Sequence, residues 1–139
     1  MSTKSLSVPN RYLPGAIIWT LLITISCLIS VDSFGGEHGI GIDIPNSDKL
    51  VHFLFYFIFT LLWYRSFKAM DLWPLKKIKI IVFVFAASYG ILIEICQGVF
   101  TSYRSADVLD AVANASGSAF GILTMWLLER NKNTNRSLR

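Results

Sequence analysis

Charge is scarce in this chain: 16% of its 139 residues are Asp, Glu, Lys or Arg, against roughly a quarter in an ordinary soluble domain. So few charges cannot clothe a chain that is 53% hydrophobic in a water-facing surface, and the apolar residues fall in long blocks. The solvent they fit is a bilayer. Cysteine is nearly missing as well. Cys27 and Cys96 both lie inside apolar segments, without metal-ligand or disulfide spacing, which leaves them packing roles. The net charge of +4 does not signal nucleic acid, because the basic residues border apolar segments and form no patch interleaved with aromatics. A chain of this length is one domain, residues 1–139, with no internal repeat and no room for a separate soluble module. The glycine-rich stretch from Gly35 to Gly41 follows no strand, so it reads as a flexible loop and not as a nucleotide cradle.

Four apolar runs remain. Leu13 to Val31 has 19 residues and no charge, enough to cross a hydrocarbon core of roughly 30 Å. A signal peptide competes for this run, since Lys4 and Arg11 precede it and Val31-Asp32-Ser33 loosely imitates a cleavage site. A signal's apolar region is shorter, roughly 7–15 residues, and a retained anchor is expected. Leu50 to Tyr64 is short, but Pro45-Asn46-Ser47 before it supplies helix-start chemistry, which predicts a start about one turn earlier. Ile80 to Phe100 and Val108 to Leu128 complete the set, joined by a tight hairpin, and Asn131 to Arg139 reads as a disordered basic end of a tail beginning at residue 129. The expected fold is all-α: a polytopic membrane protein built as a four-transmembrane-helix bundle with both termini inside.

Lysine and arginine set the orientation. Eleven of the 13 lie on the N-terminal flank, between Arg65 and Lys79, or after Leu128, and only Lys49 and Arg104 lie on the other side. By the positive-inside rule the eleven mark the cytoplasm. Six of the nine acids fall on the outer side. Tyr12, Trp63, Tyr64 and Trp126 at the inner ends and Phe100 and Tyr103 at the outer ends are expected in interfacial belts.

Ionisable groups within a membrane cost about 2.5–3.5 kcal/mol at a helix centre and call for a partner, a cavity or a function. Glu94 is the clearest case: it lies roughly 21 Å along the third run. Gln97 follows it at i+3, and Asp48 and His52 are spaced i, i+4 at the outer start of the second run. On the fourth, Asp107, Asp110, Asn114, Gly117 and Gly121 follow the progression of one face, polar outside and glycine further in. With Lys49 and Arg104, these residues come from three runs yet share one depth, which places Glu94 within reach of His52 or Arg104. Blander roles stand beside this. Asp107 with Asp110 makes a good helix start that Arg104 could neutralise, Asp48 suits a first helical turn, Gln97 and Asn114 are common interhelical glue, and Gly117-x-x-x-Gly121 permits close packing. The cytoplasmic half reads as almost wholly apolar.

At these residues the sequence resembles the VanZ-like family of small bacterial membrane proteins. The match is carried by Asp48-Lys49-Leu50-Val51-His52-Phe53, by Ser88-Tyr89-Gly90 through Glu94 to Gln97, and by Arg104-Ser105-Ala106-Asp107 through Asp110 to Asn114, followed by Gly117 and Gly121. It covers the chain from about Asp48 to Leu128. Thr101-Ser102-Tyr103 departs from the family's frequent proline-containing turn. The resemblance implies a multi-pass protein of the bacterial cytoplasmic membrane and a cell-envelope context, since the family is named after a protein that lowers susceptibility to teicoplanin. It supplies no reaction.

Three functions stay open on the sequence. In the first, the outer cluster binds or acts on a lipid-linked or lipid-like envelope component. Glu94 or His52 would then be the general acid or base, Lys49 and Arg104 would hold an anion with Asp48, Asp107 and Asp110 around it, and Gln97 and Asn114 would orient it. The carboxylates exceed the cations by two, so a divalent cation could sit among these oxygens, although no ligand spacing demands a metal and no other cofactor is expected. In the second, the cluster only ties helices together. The third is a small oligomeric transporter, which an apolar inner half disfavours.

Overall fold

A computed structural model describes residues 9–28, 47–101 and 106–137. Four helices make up the chain: α1 (Leu13–Leu28), α2 (Ser47–Met70), α3 (Leu75–Phe100) and α4 (Val108–Ser137). At about 1.5 Å per residue they measure roughly 24, 36, 39 and 45 Å. By length and composition α2, α3 and α4 can each cross a membrane, and α1 is a shorter apolar helix. The end of the first apolar run, with the suggested cleavage site, lies outside the described residues.

Local chemistry explains the boundaries. Asp71 ends α2 in the left-handed region at φ 52°, a conformation that a short polar side chain tolerates, and its N–H donates to the Lys68 carbonyl. Pro74 precedes α3 with φ fixed at −62°, where its missing N–H costs no helical bond. Asp107 caps α4 as expected, its Oδ1 accepting from the Leu109 N–H at 2.8 Å.

Two boundaries differ from the sequence reading. The basic stretch from Arg65 to Lys79 is mostly helical, because α2 runs to Met70 and α3 begins at Leu75. The C-terminal tail is helical through Ser137 instead of disordered. Glu129 anchors it, accepting from Tyr64 and ion-paired with Lys68 at 2.8 Å and Lys79 at 2.9 Å.

The helices run up, down, up, down, and α2 and α3 form the central pair. α1 packs on one side of that pair and α4 on the other, and among the described residues α1 and α4 do not meet. α2 and α4 approach most closely, through the two glycines. A methyl group added at Gly117 would lie 2.1 Å from the Phe53 carbonyl oxygen, and one at Gly121 would lie 2.9 Å from the Thr60 side chain. The surface is built for lipid: Ile18, Leu21, Ile25, Val84, Ile91, Ile95, Val99 and Val112 are exposed, whereas His52, Glu94, Gln97, Asn114 and Ser118 are buried. That inversion of the soluble pattern suits a hydrocarbon solvent.

Candidate functional site: a buried carboxylate at the outer end

The close approach of α2 and α4 sets the site. Phe53 meets Gly117 backbone to side-chain position, so its neighbour His52 falls against Asn114, one turn before Gly117. Asn114 then bridges two helices. Its Nδ2 donates to Glu94 Oε1 of α3 at 3.4 Å, and its Oδ1 faces His52 Nδ1 of α2 at 3.0 Å. An amide that donates to a carboxylate must present its oxygen to the imidazole, so Nδ1 carries the hydrogen. The same Nδ1 lies 3.5 Å from Glu94 Oε1. His52 Nε2 faces Asp110 Oδ2 at 3.8 Å, beyond direct hydrogen-bond length.

Glu94 is 5% exposed, and its second oxygen, Oε2, is buried without a hydrogen-bond partner among the described residues. The backbone N–H of Asp107 interacts with this carboxylate but makes no hydrogen bond to Oε2. A buried oxygen in that condition can take a proton, a ligand's donor or a cation. His52, Glu94 and Asp110 each offer one ligand atom, all within 4.8 Å of one another, so an imidazole and two carboxylates could hold a divalent ion. Sequence spacing could not reveal this set, because its members sit on three helices.

The remaining expected residues divide. Lys49 is engaged by Asp107 at 3.1 Å, Asp110 at 3.3 Å and Asp48 at 3.4 Å, so its charge is already countered and it is poorly placed to hold an added anion. The Leu109 backbone N–H, with the Lys49 ammonium, holds the Asp107 carboxyl below the usual carboxylate range. Gln97 turns away from Glu94 and donates to the Cys27 carbonyl at 3.0 Å, tying α3 to α1. Arg104 lies outside the described residues, as do Tyr103 and the glycine-rich loop.

Several polar groups escaped the sequence reading. Along α2, Asp48, His52, Tyr56, Thr60, Tyr64 and Lys68 recur every four residues, a stripe the sequence displays. Tyr56 and Thr60 are fully buried, with hydroxyls that find no partner among the described residues. Tyr64, expected in an interfacial belt, is fully buried and donates to Glu129; Trp63 donates to Thr20 and packs against Phe85. The inner half is therefore not wholly apolar, and the ion pairs of Glu129 correct that expectation. Between the two polar ends, Tyr56, Phe59 and Thr60 are fully buried and fill the interior.

Residues 7–129 match the profile of the VanZ/LLP1 family. The chain belongs to this family. An uncharacterized protein of the fission yeast Schizosaccharomyces pombe is 28% identical over 121 residues, covering 87% of this chain and 72% of the yeast protein. This likeness to a yeast protein leaves the bacterial source expected from the sequence unconfirmed. No solved structure matches the chain.

Proposed function

We propose that this VanZ/LLP1 protein binds, at its outer end, a lipid-linked or lipid-like amphiphile of the outer leaflet, and that Glu94 is the group that engages it. The observation that carries the reading is the buried Glu94 carboxylate, with Oε1 shared by Asn114 and His52 and Oε2 without a hydrogen-bond partner among the described residues. A glutamate kept only as a strut would have both oxygens satisfied, because a half-satisfied buried acid costs more than an amide in its place. With His52 beside it, the carboxylate can also exchange a proton with a bound hydroxyl, which is general acid–base chemistry if a reaction occurs. The yeast relative favours a membrane lipid over a component peculiar to bacterial walls. A link to teicoplanin susceptibility belongs to this proposal as a cellular consequence of binding.

The test is Glu94→Gln, which keeps shape and most hydrogen bonding. Wild-type and variant proteins are purified in mild detergent, their melting compared, and their co-purified lipids identified by mass spectrometry. The expected result is a stable variant that loses one enriched lipid class. A stable variant that retains the wild-type lipid profile, and the wild-type phenotype wherever one is measurable, sinks the proposal. That outcome favours the second reading, in which the Asn114 bridge and the Gln97–Cys27 bond tie four helices together. Such a bond is worth only about 0.6–2 kcal/mol, and glutamine should serve nearly as well.

A further inference from the structure

The inner end holds a cavity remote from Glu94. Because α1 and α4 do not meet among the described residues, a groove opens between them over α2, and at its inner end it deepens into this cavity of about 470 Å³. Arg65 and Lys68 of α2, Lys132 of α4 and Tyr12 before α1 line it, with Ala69, Met125 and Leu128 as an apolar floor. Glu129 also reaches the lining, but its charge is countered by Lys68 and Lys79, so the cavity keeps a net positive charge. We propose that this cavity binds a phosphate-bearing anion, in the membrane the headgroup of an anionic phospholipid.

Three observations carry it. The cations converge from two helices on one concavity, whereas Lys76 and Lys77, on the same side of the membrane, lie outside it. The Tyr12 phenol is held below its ordinary pKa, first by its hydrogen bond from Arg11 and then by the charges of Arg65 and Lys132. Arg65 and Lys132 are thus close enough for their charges to act on the Tyr12 oxygen, as they would on a phosphate oxygen in the cavity. Finally, Leu54, Ile58, Leu61 and Arg65 share one face of α2, exposed or half-buried, so an apolar track climbs the groove from the cations into the hydrocarbon. A soluble phosphate has no use for that track, and a phospholipid's acyl chain does. Basic pockets between helices on the cytoplasmic side recognise anionic headgroups by this combination.

The test uses the full-length protein in a zwitterionic detergent. Binding of phosphatidylglycerol and of phosphatidylcholine is measured by native mass spectrometry, with inorganic phosphate as a competitor. Phosphatidylglycerol should bind preferentially, and inorganic phosphate should not displace it. The double variant Arg65→Gln/Lys132→Gln should lose about fivefold in affinity for each charge, roughly 25-fold in all. Lys76→Gln/Lys77→Gln, which removes the same charge from the same side, should keep the affinity, and Arg65→Lys should keep most of it. Both pocket residues are exposed, and unchanged melting without lipid confirms that the variants fold. Equal binding of the two lipids, or equal loss in both double variants, overturns the site in favour of a diffuse basic surface. Displacement by inorganic phosphate overturns the lipid assignment. None of these outcomes depends on the behaviour of Glu94→Gln.

Discussion

Gly117→Ala puts the origin of the outer site to a direct test. A Cβ built there lies 2.1 Å from the Phe53 carbonyl oxygen, with the Phe53 carbonyl carbon at 2.9 Å. The obstacle is backbone on both sides, so no rotamer change relieves it. α2 and α4 must part by at least 0.9 Å to reach even 3.0 Å. His52 precedes Phe53, so the same displacement stretches its 3.0 Å contact with Asn114 to about 3.9 Å, past hydrogen-bond length. Overpacking costs about 1–3 kcal/mol and the lost hydrogen bond about 0.5–1.5 kcal/mol, for a total of roughly 1.5–4.5 kcal/mol. In a chain of this size that is a fall of roughly 5–15 °C in melting temperature. The assay is thermal unfolding in detergent, with two companions. Gly121→Ala meets the Thr60 side chain at 2.9 Å and should lose less, and Gly15→Ala, with nothing among the described residues within 4 Å, should lose nothing. If Gly117→Ala melts at or above the wild-type temperature, α2 and α4 are not in backbone contact, and the account of how His52 is positioned is wrong.

Other outcomes follow from the same geometry. Asn114→Leu strips the bridge between His52 and Glu94 and should destabilise by about 1–3 kcal/mol, read as lower abundance and earlier melting; a variant as stable as wild type would show that the bridge is not made. Glu129→Leu removes the anchor of the last turns of α4, so trypsin should cut at Arg130 and Lys132 sooner than in wild type, and an unchanged cleavage rate refutes the anchoring. In a protein freed of Cys27 and Cys96, Leu72→Cys in the exposed turn between α2 and α3 should resist an impermeant thiol reagent in intact cells, and prompt modification there reverses the orientation.

The sequence by itself determined the solvent, the number of apolar helices, the shared side of both termini and the depth of the polar cluster. Each of these depends on composition, run length or charge order along one segment, quantities that neighbours do not alter. The face of α4 carrying Asp110, Asn114, Gly117 and Gly121 was legible for the same reason, because helical periodicity is local. Only the tertiary structure decided which polar residues meet. Glu94 and Gln97 share a face in sequence, yet Glu94 turns to α2 and α4 while Gln97 bonds α1. The helices' rotation is set by where glycines let backbones touch, and that is a property of pairs of helices. Lys49 was expected to hold an anion, but in the fold Asp107 and Asp110 engage its ammonium directly, a pairing between α2 and α4 that no spacing within α2 announces. Glu129 read as part of a loose tail because its partners, Tyr64, Lys68 and Lys79, lie on two other helices, and no spacing within α4 announces them.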